Sequence, residues 1–305
     1  MSFLNDKIQE VIGSAGKTSN ISGMLHDFKA EIEERLVTLY STDDLRIFDG
    51  ENGGALRGPI TSRKNYEIKE NNEVTLCCDS GNIQSKITEP VYSRAIFNSG
   101  RLGVYQLIAY ETPLMRKRTN SINPEISGRQ VSCDLLGISK GEICCIEVKI
   151  NPFDKSCRPT YALLEGLAYC ICLNWILKIN PLDLSREIDL CCKSFGIKAS
   201  NLPEKATFAI AAPMDDYFLP YWRMEDNTEE WFQRRKNEIQ VIENAIFSEF
   251  EQYFSGYIAI ATSTSMIRAE IADHKSDCVI PRVINKDSIV RQPFVKIFKS
   301  FFDEY

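Results

Sequence analysis

The segment from Val131 to Ile150, VSCDLLGISKGEICCIEVKI, constrains this chain more than any other. Two nearly uncharged, strand-like runs flank Lys140-Gly141, yet they carry Asp134, Glu147 and Lys149. Charged side chains are rarely buried unless they are paired, hydrogen-bonded or bound to a metal. Three charges toward one end of an apolar hairpin therefore need a partner, and metal-dependent phosphodiester chemistry would supply one.

Counting residues makes the geometry definite. If Lys140-Gly141 forms a two-residue turn, Ser139 pairs with Glu142, and every later pair keeps the same sum of residue numbers. Asp134 then falls opposite Glu147, and directly opposed residues have Cβ atoms about 4.5–5.5 Å apart on one face. Lys149 lies two residues past Glu147 and shares that face. Lys-Gly is a weaker turn signal than Asn-Gly, and a slip of one residue would send these side chains to the opposite face. Two opposed carboxylates repel, and a divalent cation reverses the sign of that interaction. Mg²⁺ favours such oxygens and lets substrate phosphates complete its shell. Lys149 could then orient the attacking water or offset charge in the transition state.

The rest of the chain reads as α/β. Ile21, Leu25, Phe28, Ile32 and Leu39 recur at helical spacing and predict a helix over 21–40, capped by Ser19 or Asn20. Residues 43–102 are broken by Gly50, Gly53, Gly54, Gly58 and Pro59, and read as short strands with long loops. A strand is expected at 103–111 and a polar loop at 112–130. Helices are expected at about 160–178, at 184–195 and at 228–253, with strands at 206–213 and 256–261. No repeat or linker interrupts this order, so residues 1–305 are expected to form one elaborated domain with its core at about 20–40 and 100–265.

Composition narrows the class. A net charge of −6 over 305 residues means that any nucleic-acid contact must use local basic surface. Arg116-Lys117-Arg118 is one candidate; Arg282, Lys286, Arg291, Lys296 and Lys299 form another, opposed by Asp287. A solvated surface is the default for both. The 11 cysteines include the adjacent pairs Cys77–Cys78, Cys144–Cys145 and Cys191–Cys192, show no CxxC spacing and are accompanied by only two histidines. Buried free thiols in a reducing, cytoplasmic setting fit better than zinc or disulfides, and strand neighbours would point to opposite faces. The N-terminus lacks the apolar core of a signal peptide. Tyr161 to Leu177 is apolar but short for a membrane span and carries Glu165 and Asn174, so a buried core helix is expected.

Asp134 followed by Glu147-Val148-Lys149 resembles the active site of the PD-(D/E)XK nuclease superfamily, with Cys133 in place of the motif's proline. Asp134-Leu135-Leu136-Gly137 and Glu111-Thr112-Pro113-Leu114 are similar to segments common in bacterial members. Glu165 and Tyr169 resemble the Gln-x-x-x-Tyr helix motif of an exonuclease-like branch, with Glu replacing Gln. The resemblance covers roughly residues 20–40 and 100–215. It implies a restriction-endonuclease-like core, a mixed central sheet flanked by helices, with N- and C-terminal elaborations. It further implies a Mg²⁺-dependent nuclease, with Mn²⁺ as an alternative, acting on nucleic acid, DNA foremost, and possible as a homodimer. Asp134, Glu147 and the Val148 carbonyl would hold the metal, and Lys149 would position the attacking water. The alternative is a catalytically silent module of the same fold that binds nucleic acid or a protein.

The triplet alone carries little information, because acid-x-Lys recurs at Asp27-Phe28-Lys29, Glu67-Ile68-Lys69 and Asp273-His274-Lys275. What separates Glu147-Val148-Lys149 is its apolar strand and the Asp on the preceding one. A solvated strand end or a simple ion pair is the competing reading. Glu31 and Glu111 are weaker candidates to support the site; an ion pair of Glu31 with Arg35 and a strand-end charge at Glu111 are the plainer expectations.

Overall fold

The computed structural model describes residues 3–15, 20–40, 66–68, 73–76, 88–115, 131–194, 203–224, 229–271, 279–283 and 295–302. In chain order they form α1 (Phe3–Ser14), α2 (Ile21–Tyr40), β1 (Tyr66–Ile68), β2 (Glu73–Leu76), α3 (Glu89–Ser99), β3 (Arg101–Leu102), β4 (Tyr105–Met115), β5 (Val131–Ser139) and β6 (Glu142–Val148). There follow α4 (Pro159–Ile179), α5 (Pro181–Ser194), β7 (Lys205–Pro213), a π-helical turn (Met214–Phe218), α6 (Leu219–Trp222) and α7 (Glu230–Phe250). The chain continues through β8 (Phe254–Ile260), β9 (Ile267–Ile271), β10 (Val279–Val283) and β11 (Val295–Phe298).

A seven-stranded mixed sheet, ordered β11-β8-β7-β6-β5-β4-β3, organises the molecule. The strands from β3 to β6 pair antiparallel, β6-β7 and β7-β8 pair parallel, and β11 closes the edge antiparallel to β8. Parallel neighbours need a crossover, and α4-α5 and α7 supply them. These helices, with α1 and α2, cover one face; α3 covers the other. A separate four-stranded antiparallel sheet, β1-β2-β9-β10, packs on α3 through β10.

The alternation in β6 shows how the strand feeds two cores. Ile143 and Cys145 point into the α4 side, while Cys144, Ile146 and Val148 point into the α3 side. Adjacent cysteines therefore do occupy opposite faces here. Cys191 and Cys192 do not, because they sit on α5, where consecutive residues are about 100° apart and both reach the same core. The eight cysteines among the described residues are all free thiols, seven of them buried; Cys77, Cys78 and Cys278 lie outside the described residues. Of the described helices, α4 alone is long and apolar enough to cross a membrane. It is the central core helix, with Leu163, Leu164, Leu167 and Leu173 fully buried.

Two expectations are corrected. Residues 112–115 continue strand β4 through Thr112-Pro113, where irregular register accommodates the proline; Arg116-Lys117-Arg118 and the rest of 116–130 lie outside the described residues. Within 43–102, β1 and β2 are short strands, but Glu89–Ser99 is a helix. Its boundaries have physical causes: Pro90 sits in the first turn, where its missing N–H is harmless, and Gly100 ends the helix at φ 80°.

The α4–β7 contact is tight. A Cβ added at Gly166 would lie 2.6 Å from the Phe208 ring, which is itself fully buried. Gly166→Ala is expected to lower stability by about 1–3 kcal/mol through overpacking, seen as a reduced denaturant midpoint with an unchanged slope.

Candidate metal centre

The β5–β6 hairpin adopts the expected register. Ser139 pairs with Glu142, and the ladder runs back to Leu135 opposite Ile146. Lys140 and Gly141 have φ 44° and 82°, so both turn residues are left-handed, as a type I′ turn requires. One further step of that register would set Asp134 opposite Glu147, but the Cα pairing ends at Leu135 and Ile146. Past Leu135 the ladder changes character. The Val148 N–H, which would next face Cys133, donates to Asp134 Oδ2 at 2.8 Å. Asp134 thus bends over the strand end and caps it.

Glu147 and Lys149 share the face of Ile143 and Cys145, which is the α4 side. There Glu165 meets them from α4. Lys149 Nζ lies 2.7 Å from Glu147 Oε1, 2.9 Å from Glu165 Oε2 and 3.5 Å from Glu89 Oε1. The Glu165 contact is an ion pair by distance without hydrogen-bond alignment, because Glu165 Oε2 has no hydrogen-bond partner among the described residues. The Lys149 N–H continues the sheet by donating to Ala211 O at 2.9 Å, fixing the lysine beside the end of β7. In open α/β sheets, ligands bind beyond the carboxyl ends of parallel strands, and this cluster occupies that position.

Glu89 is the residue that sequence reasoning missed. It opens α3 and brings a carboxylate from the opposite layer of the fold. One oxygen each from Glu89, Asp134 and Glu147 lie within 4.8 Å of one another. The available signal was Thr88-Glu89-Pro90 before the apolar Val91, Tyr92, Ala95 and Ile96, with Gly100 as the stop.

Four carboxylates, from Glu89, Asp134, Glu147 and Glu165, surround one ammonium. If all ionised, three negative charges would go uncompensated. Burial pushes the Asp134 carboxyl up to about 8, with Glu89 adding to the rise and Lys149 opposing it. Burial and Asp134 together raise Glu147 well above its ordinary value. Burial also raises Glu89, against the pull of Lys149. For Lys149 burial alone would favour the neutral amine, but Glu147, Glu165, Glu89 and Asp134 hold it well above its usual value. Without a metal, the cluster relieves its charge by retaining protons.

That has a measurable consequence for the chelated protein. An unfolded chain releases the Asp134 proton near pH 4, whereas the native chain keeps it until about pH 8. Between those values the native state holds more protons, so each rise in pH favours unfolding. Glu147 and Glu89 shift in the same direction. The thermal midpoint in EDTA is expected to fall as pH rises from about 4 to 8. A midpoint that climbs across that window would contradict this arrangement.

The donor set fits a hard divalent cation. All side-chain donors are carboxylate oxygens, and Glu147 Oε2 is buried with no hydrogen-bond partner among the described residues. Such oxygens suit Mg²⁺ or Mn²⁺ and not a soft ion. A dication among them would leave one uncompensated negative charge in place of three.

The remaining candidates lie elsewhere or act indirectly. Glu31 points away from the cluster and pairs with Lys7 of α1 at 2.8 Å; Arg35 lies over the Phe3 ring. Glu111 falls in β4, with its side chain outside what the structure describes. Tyr169 is buried on α4, where Glu147 and Glu165 add to the rise that burial gives its hydroxyl pKa. Of the C-terminal basic group, Lys296 and Lys299 lie on and after β11; the Arg282 side chain, Lys286, Asp287 and Arg291 lie outside the described residues. His26 is exposed and 2.9 Å from Glu249 of α7, and His274 lies outside the described residues. No family model, curated protein or solved structure matches this chain.

Proposed function

We propose that this chain is a Mg²⁺-dependent nuclease of the PD-(D/E)XK type, built on a restriction-endonuclease-like core and hydrolysing phosphodiester bonds, foremost in DNA. One observation carries the reading: Asp134, Glu147 and Lys149 converge at the sheet end with Glu89 and Glu165, four carboxyls around one ammonium that would carry three uncompensated negative charges if all were ionised. Such an assembly is unstable as a structural ion-pair network and fits a site awaiting a cation.

Asp134, Glu147 and Glu89 would hold the ion, with the Val148 carbonyl as the main-chain donor that the superfamily resemblance implies. Bound Mg²⁺ supplies Lewis-acid stabilisation of the scissile phosphate and a more acidic water. Lys149 is the residue that must change partners. Its ammonium lies within 3.5 Å of three carboxylates, which compete with substrate for it. With a cation held by Glu147 and Glu89, Glu165 would remain as the ammonium's partner, and Lys149 could hold the attacking water or a phosphate oxygen. Glu165 therefore serves as a positioning residue for Lys149.

The test is cleavage of plasmid, linear duplex, single-stranded DNA and RNA with Mg²⁺, Mn²⁺ or EDTA, with Asp134→Ala beside the wild type. Metal-dependent cleavage that Asp134→Ala loses is the expected result. Equal inactivity of both proteins on every substrate overturns the enzyme reading.

A further inference from the structure

Immediately after Lys149 the chain makes an irregular turn, 150–158, that leads to α4, and the metal cluster does not account for its shape. Its Cys157 thiol reaches Glu89 Oε2 at 3.5 Å, so one end touches the acidic site. Two buried tyrosines that follow β7 fasten it: Tyr217 donates to Cys157 O at 2.7 Å and Tyr221 to Pro152 O at 3.4 Å. Held this way, Phe153 faces outward and is 45% exposed. Its ring stacks on Tyr221 at 5.9 Å and meets Trp231 of α7 at 6.1 Å, and Trp231 is 40% exposed. Single exposed apolar side chains are ordinary. Two open aromatic rings in contact, backed by a buried third and tied to the site's own loop, form a built surface.

Guanidinium groups gather beside the rings. Arg158 precedes α4, and Arg234 and Arg235 lie in the first turns of α7, with Glu238 between the two elements. Thr160 Oγ1 donates to Glu238 Oε1 at 2.8 Å, and Arg235 pairs with Glu238 Oε2 at 2.6 Å. Burial and the nearby Arg235 both hold Arg158 below its ordinary pKa, as expected for clustered like charges. Lys155 adds to this surface, while Asp154, Glu229 and Glu230 oppose it. Arg235 is engaged by Glu238, and Arg158 and Arg234, close enough to feel each other's charge, are the guanidinium groups placed to meet a phosphate.

Phosphates meet arginines in any nucleic acid, but open rings discriminate. In a duplex the bases stack on each other and offer no free face to a side chain. In a single strand each base can stack on an aromatic ring.

We propose that Phe153 and Trp231 form a stacking platform for unpaired bases, with Arg158 and Arg234 on the adjoining phosphates, so that a single-stranded segment is led to the acidic cluster. This inference rests on the nuclease reading for its purpose, but its test is separate. Binding of a short fluorescent oligothymidine and of a matched duplex is measured in EDTA, where no cutting competes. Phe153→Ala and Trp231→Ala are each expected to weaken single-strand binding about tenfold, and Trp231→Phe to retain most of it. Duplex binding should change less than about twofold. Arg234→Ala should lower the salt dependence of binding by about one phosphate contact. Single-strand binding indifferent to both ring deletions, or equal losses on duplex, overturns the platform. If that happens while metal-dependent cleavage persists, the platform alone fails. If ring-dependent binding stands and no substrate is cut, the nuclease reading alone fails.

Discussion

Lys149→Met is expected to destabilise the chelated protein by about 3–5 kcal/mol and to reduce metal-dependent cleavage by about 10²-fold or more. Lys149 is buried and is the cation that Glu89, Glu147 and Glu165 share. Methionine keeps the apolar stem but leaves buried carboxylates with no counter-charge, and that loss dominates over any gain from removing the ammonium's own desolvation. The penalty should grow with pH, because the carboxyls can no longer keep the protons that relieve their charge once rising pH drives them to ionise. Added Mg²⁺ should recover much of the stability, since a dication replaces the missing charge, but not the activity. Chemical denaturation with and without Mg²⁺, beside a cleavage assay, measures both. A variant as stable as the wild type in EDTA would show that the four carboxylates do not depend on Lys149.

Asp134→Asn should move stability the other way. The amide removes one of the crowded negative charges and can still accept the Val148 N–H through its oxygen, so the cap on the strand end survives. At pH 8 and in EDTA the thermal midpoint is expected to rise by a few degrees, a gain of about 1–2 kcal/mol. Stabilisation by Mg²⁺ should shrink sharply, because a neutral amide is a poor ligand for a hard dication. Cleavage should fall by about 10²–10³-fold. Greater stability with less function is the signature of a site kept under electrostatic strain for its chemistry. A variant that is destabilised in EDTA would point to Asp134 as a structural residue instead.

Much of this site could be read from the hairpin because strand geometry is local. A two-residue turn fixes the register, the register fixes which residues face each other, and alternation fixes the face. The paired glycine-compatible φ values at Lys140 and Gly141 complete that logic. The helices at 21–40 and 230–250 were legible because periodic apolar positions name the buried side, and the helix at 159–179 because its apolar run is unbroken and its burial nearly all round. Glu165 lay in a helix whose location was clear, yet only packing shows that its carboxylate reaches Lys149. The α3 helix was harder, because five glycine and proline breaks upstream obscured a short element whose start signal was Thr88-Glu89-Pro90.

Sequence by itself determined the hairpin register as far as Leu135 and Ile146, which brings Asp134 to the strand end near Glu147, and the shared face of Glu147 and Lys149, since those follow from counting along one hairpin. Tertiary structure alone decided that Glu89 would arrive from α3 in the opposite layer and Glu165 from α4. It also decided that the turn after Lys149 would set Phe153 against Trp231, nearly eighty residues away in the chain. The physical reason is range. Hydrogen-bond ladders and side-chain alternation act between neighbours in sequence, whereas the charge balance of a buried cluster is set by whichever elements the core packs together. Three charges on one hairpin specify a pair of opposed carboxylates and a lysine. Five charges from four elements, α3, β5, the end of β6 and α4, make that pair into a site with room and reason for a cation.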